Sequence, residues 1–493
     1  MNRLMAPIDD FLNDLTMYRL ILYGLGILAG LAILFAFAGV LTLSAGQLVW
    51  SLVVLLAAAY GSNLVLSRVY EAARNYESWL ITALILFFVL PPARNAPELT
   101  IEALAALLAM ASKYVLAPWR KHIFNPAALG AAGIGVLGLG YGSWWVGTGS
   151  LLPFTLILAL LVARKIRRLW LVGVFWAVSL IITAGLAFIH HDDAAEMLRL
   201  AIVSGPLVFM GGIMLTEPAT MPSRERWRLG YAGLVAVLFA THLNLKFVYV
   251  TPEIALLIGN ILAFAVSPKR RLTLTFVGAE KLAESVYEYR FAAPERLNFQ
   301  PGQYAEWTLP HRHPDSRGNR RTFSLASAPG SREVRLAVKQ SLQPSSFKAK
   351  LASLKPGDRL ELGPAAGDFT LPSRTDAKLL LIAGGVGITP FASMMRHLLN
   401  TTVQRDIVVY YAVKHVEDIA YKDLIAAARA QGMVVHAVAG RLDTQTLRAT
   451  VPDAVTREVY VSGAPGMVRQ TRSLLVALKV PAHHIHTDYF SGY

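Results

Sequence analysis

The sequence predicts a polytopic α-helical membrane domain of about ten spans, followed by a small antiparallel β-barrel and a doubly wound α/β domain. Three observations predict it. Of 493 residues, 54% are apolar and 16% charged, a balance that suits a membrane protein with a soluble appendage. The apolar excess lies almost wholly before residue 268, in stretches such as Leu20–Leu43 and Leu169–Ile189, each long enough to cross a hydrocarbon core of about 30 Å. Beyond Pro268 the chain turns to short β-rich runs, then to a strand, glycine turn and helix. The expected boundaries are 1–267, 271–373 and 376–493.

The first apolar run follows a segment with Asp9, Asp10 and Asp14 beside only Arg3, and it is too long for a signal core, so it is expected to be a retained span. Ten spans are expected at 18–43, 46–66, 78–91, 99–117, 125–141, 150–164, 169–190, 199–216, 228–246 and 252–267. One set of alternating loops then holds sixteen basic residues, including Arg164–Arg168 and Lys269–Arg271, and the other holds only Arg94, Arg199 and Lys246. That positive-inside bias puts both termini and the C-terminal half in the cytosol, in a cytoplasmic membrane. It also accounts for the net charge of +15 without nucleic acid. With no cysteine, disulfides, thiolate zinc and ordinary iron–sulfur clusters are excluded from this chain, and no metal ligand set is expected.

The halves of the membrane domain echo each other. Span three ends at Pro91-Pro92 and span eight at Glu217-Pro218; span five opens with Asn125-Pro126 and span ten with Thr251-Pro252. Partners five spans apart run in opposite directions, the pattern of an inverted repeat with interrupted helices. Backbone freed at such breaks must be buried in protein or line a cavity, so the breaks are candidate ligand positions; equally, proline simply favours helix ends.

The run His122-Ile123-Phe124-Asn125-Pro126-Ala127-Ala128, with Ser78–Leu84 before it and Leu215-Thr216-Glu217-Pro218 after it, resembles one family of membrane proteins. Its members are the flavin-carrying membrane components of the Rnf electron-transport complex and of the sodium-pumping NADH:quinone reductase. The resemblance spans most of residues 18–267 and implies a ten-span, flavin-carrying membrane fold. Asp-Pro usually stands in that family where this chain has Glu217-Pro218. Relatives commonly attach FMN to a threonine on an exterior loop; the corresponding loop, Tyr141–Ser150, lacks their sequence. A second flavin (FMN or riboflavin) held without a covalent bond is therefore expected, with attachment at Thr148 the rival. Trp144 and Trp145 could stack on it or anchor the loop at the interface.

In the soluble half, strands are expected at Leu272–Gly278, Val286–Ala292, Ala305–Leu309, Arg321–Ala326 and Val334–Lys339, closely spaced as in a barrel. Arg321-Thr322-Phe323-Ser324 offers a guanidinium and hydroxyls at a strand end, suited to a pyrophosphate and a ring edge. Gln343-Pro344-Ser345-Ser346 opens a helix with two capping hydroxyls, an anion seat or a plain N-cap. Then strand Leu379–Ala383 leads through Gly384-Gly385-Val386-Gly387-Ile388-Thr389-Pro390 into a helix, where glycines admit a pyrophosphate. Strand Val459–Val461 delivers a second tight turn, Ser462-Gly463-Ala464-Pro465-Gly466-Met467.

These four motifs in this order resemble the ferredoxin–NADP reductase superfamily over residues 271–493. The resemblance implies FAD on the barrel, NAD(P)H on the α/β domain and hydride transfer between them. It places Ser324 beside the flavin's reactive nitrogen and Ser462 and Asp488 near the nicotinamide, all three as catalytic residues, with Phe490 covering the ring. Ser462 stands where many members carry cysteine. The tail could equally be a docked terminus. Lys414 could meet a 2′-phosphate or be a solvated lysine, so NADH and NADPH both stay open.

The function expected is a membrane-bound NAD(P)H-dependent flavin oxidoreductase, passing electrons to quinone or an acceptor beyond the membrane, with partner redox subunits possible in principle. One alternative is a haem-containing transmembrane reductase, but His122, His190, His191 and His242 sit near span ends without paired spacing. Another is redox-coupled ion transport, for which Glu102 is the one acid deep within an expected span.

Overall fold

The computed structural model describes residues 8, 11–12, 15–70, 76–118, 122–223, 225–244, 249–267, 271–315, 318–401, 403–440 and 442–490. The loop residues Arg3, Arg74, Arg120, Lys121, Arg224, Lys246, Lys269 and Arg270, and the tail Ser491, Gly492 and Tyr493, lie outside them. The chain divides into two compact units, Met1–Arg270 and Arg271–Tyr493.

The N-terminal unit is helical: α1 Met17–Phe37, α2 Ala45–Val69, α3 Tyr76–Val89, α4 Ala96–Val115, α5 Pro126–Val136, α6 Leu152–Lys165, α7 Leu169–His190, α8 Ala194–Val203, α9 Leu207–Phe209 running into a π-turn at Met210–Met214, α10 Glu225–Thr241 and α11 Pro252–Val266. Among the described residues only α1, α2 and α7 are individually long and apolar enough to cross a bilayer. The segments α8 and Leu207–Met214, bent by 57°, make a fourth crossing if they count as one. Length and apolarity among the described residues thus support three or four of the ten expected spans. A helix stands in each expected stretch, but most are too short: the 14 residues of α3 or α6 rise about 21 Å against a core of about 30 Å. The stretch 18–43 ends early because Gly39 takes φ +72°, and 125–141 because Gly138 takes φ +69°. The prolines of α5 and α11 occupy the first helical turn, behind Asn125 accepting from the Ala128 N–H at 3.1 Å and Thr251 accepting from the Ile254 N–H at 3.4 Å. Proline is favoured there because that N–H has no helical partner to lose.

The C-terminal unit holds two sheets. Strands β1 Leu272–Ala283, β2 Val286–Ala292, β3 Tyr304–Thr308, β4 Arg320–Ser324, β5 Glu333–Lys339 and β6 Arg359–Leu362 form an antiparallel sheet in the order β4-β3-β6-β1-β2-β5. The Ala326 N–H, just past β4, donates to the Arg335 carbonyl on β5 at 3.0 Å, which joins the two ends as in a barrel. Phe291, Trp307 and Leu336 fill its core. The second sheet is wholly parallel, in the order β11-β10-β7-β8-β9, from β7 Leu379–Gly384, β8 Ile407–Val413, β9 Val434–Ala439, β10 Glu458–Gly463 and β11 Ile485–Tyr489. Helices α13 Thr389–Leu399, α14 Lys422–Ala430, α15 Thr444–Thr450 and α16 Pro465–Ala477 connect its strands; α12, Ser346–Ala352, belongs to the barrel. Strand order doubles back at β7, the switch point where such sheets bind ligands beyond the carboxyl ends of their strands.

Candidate functional site

Strands β7 and β10 lie side by side with Ser462 opposite Ala383, so the turns that follow them meet. A Cβ on Gly387 would come within 2.3 Å of the Ser462 carbonyl oxygen and 2.7 Å of the Gly463 Cα. Both obstacles are backbone, so only glycine fits. Gly384 and Gly463 close against the Met467 side chain, where added Cβ atoms would stand 3.0 and 3.2 Å from its sulfur. Gly385 takes φ +55° to start the 3₁₀ turn that ends at Ile388. Thr389 donates its hydroxyl to the Val386 carbonyl at 2.7 Å and Pro390 stands in the first turn of α13. The glycines expected to admit a pyrophosphate thus also let two turns pack together.

Register places the expected catalytic pair together: Ser462 on β10 lies opposite Asp488 on β11. The Phe490 N–H donates to the Gly463 carbonyl at 2.8 Å. Phe490, the residue after β11, is thus fastened to the last residue of β10. Ser462 is fully buried and its hydroxyl has no hydrogen-bond partner. Pro465 opens α16 directly beyond it.

On β4, alternation puts Arg321 and Phe323 on one face and Thr322 and Ser324 on the other. Both residues of the first face meet the Phe347 ring on α12, Arg321 Cζ at 5.5 Å and the Phe323 ring at 5.6 Å. Thr322 is exposed and Ser324 buried. Arg321 Nη2 donates to both oxygens of Asp315, at 2.8 and 3.0 Å. Ser345 caps α12, accepting from the Lys348 N–H at 3.3 Å. Ser346 does not cap: its N–H donates to Asp315 Oδ2 at 3.2 Å, and its hydroxyl accepts from the Asp315 N–H at 2.8 Å. These donors converge on a carboxylate, so their chemistry and spacing fit an anionic group such as a flavin phosphate.

Helix α13 ties the two motifs into one site. Ser393 donates its hydroxyl to the Ser327 carbonyl at 2.7 Å, and Arg396 donates to the Ala326 carbonyl at 2.7 Å. Arg396 also forks onto the buried Glu288 of β2 at 2.9 and 3.1 Å, and Arg335 reaches the same carboxylate at 2.8 Å. Burial pushes the Tyr421 hydroxyl well up, and the Glu288 carboxylate adds to it. Sequence reasoning missed this joint because its partners lie 47 to 108 residues apart. Lys414 is exposed beyond β8.

In the N-terminal unit the helix breaks also gather polar groups. Lys113 on α4 donates to the Ser78 carbonyl, the Ser78 hydroxyl and the Thr82 hydroxyl at 3.0, 2.9 and 2.9 Å. The Asn125 N–H donates to Asn260 Oδ1 on α11 at 2.8 Å, while Asn260 Nδ2 donates to the Thr220 carbonyl at 3.2 Å. His122 lies 3.6 Å from Glu217. A small cavity lies between Tyr18, Ser78, Thr82, Asn125 and Glu217. Thr148 is elsewhere, with its hydroxyl oxygen buried and without a partner, on a loop where a Cβ at Gly147 would strike the Gly205 carbonyl at 2.5 Å. Trp144 and Trp145 are buried, donating to Glu253 at 2.8 Å and to the Phe87 carbonyl at 2.6 Å. They are packing residues, neither exposed anchors nor a free stacking surface. Glu253, buried like Glu102, escaped the sequence reading because it sits at a span end.

Residues 381–473 match the family described as oxidoreductase NAD-binding domain. Over 298 residues the chain is 29% identical to a flavohemoprotein of Burkholderia sp. (strain TH2), covering 56% of this chain and 71% of that protein. It is 29% identical over 210 residues to the flavohemoprotein of Bacillus subtilis (strain 168), covering 39% and 51%. With the reductase component of propane 2-monooxygenase from Mycolicibacterium goodii it shares 30% identity over 219 residues, 40% of this chain and 61% of that one. The chain thus spans from half to some seven tenths of the length of these relatives. The flavohem-like FAD/NAD-binding domain of nitric oxide dioxygenase from Vibrio cholerae superposes with a TM-score of 0.39 at 23% identity, covering 44% of this chain and 98% of that one. The C-terminal unit is an NAD(P)H-dependent flavin oxidoreductase module similar to that of flavohemoproteins.

Proposed function

We propose that the whole chain is a membrane-bound flavoprotein that carries electrons from cytosolic NAD(P)H through FAD to a second flavin in the N-terminal unit, and on to quinone or an acceptor beyond the membrane. The observation that carries the reading is the meeting of the Gly384–Thr389 and Ser462–Met467 turns at the switch point of a parallel sheet. A flavin supplies the redox chemistry when bound, taking a hydride and releasing electrons singly. The chain's part is to hold and orient. Arg321 and Ser346 offer donors for phosphate, Ser324 a buried hydroxyl at the end of β4, and Gly384, Gly385 and Gly387 a close backbone approach. Ser462 and Asp488 face the nicotinamide in this reading, with Phe490 over the ring.

For the N-terminal unit, the fuller reading is a ten-helix inverted repeat whose shorter helices are buried among the long ones. The polar groups around Lys113, Asn125 and Glu217 support it, because broken helices in a membrane place such groups at a ligand. The packed surroundings of Thr148 favour a flavin held without a covalent bond.

Purified full-length protein tests both halves of the proposal. NADH or NADPH should bleach its flavin absorbance without oxygen, and denaturation should release two flavins per chain, leaving none fluorescent on the polypeptide. Failure to bleach would refute the electron path. A single flavin per chain would remove the membrane flavin, and a haem band would replace it.

A further inference from the structure

Asp315 holds the donors that the proposed function assigns to the flavin phosphates. Its carboxylate accepts Arg321 Nη2 at 2.8 and 3.0 Å and the Ser346 N–H at 3.2 Å. Its own N–H donates to the Ser346 hydroxyl, which also lies 3.0 Å from His311 Nε2. The other guanidinium nitrogen, Arg321 Nη1, donates to the Gly318 and Arg320 carbonyls at 2.9 and 2.7 Å. The Arg321 side chain is only 9% exposed and that of Asp315 25%, so the pair is half-sheltered, with the carboxylate on the open side.

We infer that Asp315 is an internal competitor of the cofactor: its carboxylate occupies the guanidinium edge that a flavin pyrophosphate needs, and it sets how tightly FAD binds. One guanidinium nitrogen, Nη2, bridges both oxygens of the carboxylate while Nη1 is held by backbone carbonyls, so Nη2 serves one anion at a time, carboxylate or phosphate. A pyrophosphate arriving beside an undisplaced Asp315 would meet a like charge across a few ångströms, which disfavours both. FAD loading therefore requires Asp315 to leave Arg321, and the ion pair is the contact that the cofactor displaces. The inference rests on the reading of the barrel, residues 271–373, as FAD-binding.

The test is FAD titration of the full-length, detergent-solubilised protein stripped of flavin, followed by quenching of flavin fluorescence. Riboflavin serves as the probe without phosphate. Asp315→Asn, of the same shape without the charge, should bind FAD about tenfold more tightly than wild type and leave riboflavin binding unchanged. That gain should vanish in the Arg321→Ala background. Equal or weaker FAD binding by Asp315→Asn, with wild type still binding, would overturn the inference and make Asp315 a residue that orients Arg321. A gain that persists without Arg321, or extends to riboflavin, would also overturn it, as a general charge effect. If the wild type and Asp315→Asn both fail to bind FAD, the functional reading itself fails with it.

Discussion

The two units solve one problem by opposite means. Each must bring distant residues to a point where regular backbone stops. In the C-terminal unit the backbone does it: parallel register sets Ser462 beside Ala383 and opposite Asp488, and glycines let two turns touch. In the N-terminal unit side chains do it: Asn260 reaches across to the Asn125 N–H, and Lys113 spans to Ser78 and Thr82. A site assembled by backbone tolerates changed side chains but not an added Cβ. A site assembled by side chains should fail piecemeal, one hydrogen bond at a time.

The largest expected effect lies where the backbone-built site depends on a side chain after all. Glu288 is the joint between the barrel and α13, and Glu288→Ala leaves Arg335 and Arg396 facing each other without their shared carboxylate. Breaking such a buried pair destabilises by about 3–5 kcal/mol. Denaturant unfolding followed by flavin fluorescence should show a shift of that size; a shift below about 1 kcal/mol would mean the joint is solvated and the two motifs are held by other contacts.

Next comes Gly387→Ala. The new methyl meets backbone at 2.3 Å, which no rotamer relieves, so about 1–3 kcal/mol of strain is expected. Reduction by NAD(P)H should fall much further than FAD content, since the turn belongs to the nucleotide side. Equal loss of both would place the flavin on this turn too.

Asn260→Ala removes bonds to the Asn125 N–H, the Thr220 carbonyl and the Tyr231 hydroxyl, and at about 0.6 kcal/mol for each bond between helices in membranes it should cost about 2 kcal/mol. Thermal unfolding in detergent would measure it. A loss of several kcal/mol would mean the breaks of the N-terminal unit are as cooperative as the turns of the C-terminal one, and the contrast between the units would fall.

The contrast also accounts for what the sequence makes legible. The turns around Gly385 and Gly463 stand out because strand, glycine run and helix follow one another within a dozen residues, and β1 to β5 because short β-rich runs follow closely between turns such as Pro301-Gly302 and Pro329-Gly330. Strands β9 and β11 carry no such signal: Val434–Ala439 is half exposed, and Ile485–Tyr489 gains its strand character only by pairing with β10. The ten-span reading counts apolar runs, and apolarity alone does not distinguish a crossing helix from a short one buried by neighbours, such as α3. Nor does a hydroxyl or guanidinium announce its partner. Ser346 has the residue type of a cap for α12 and instead holds Asp315, and Arg321 suits a phosphate while a carboxylate six residues upstream takes its Nη2.

The smallest effect on stability is the most informative about function. The Ser462 hydroxyl is buried and makes no hydrogen bond, so it contributes desolvation without a compensating contact. Ser462→Ala should therefore lie within about 0.5 kcal/mol of wild type, or slightly above it. If the side chain faces the nicotinamide as Asp488 opposite it suggests, the same variant should reduce its flavin more slowly with NAD(P)H while binding FAD normally, and stopped-flow reduction under anaerobic conditions separates the two. Ser462→Cys keeps a small polar side chain at this position and should recover the rate. An alanine variant that is less stable by about 1–2 kcal/mol but reduces at the wild-type rate would instead make Ser462 a packing residue, and would leave the convergence of the two turns as a feature of the fold alone.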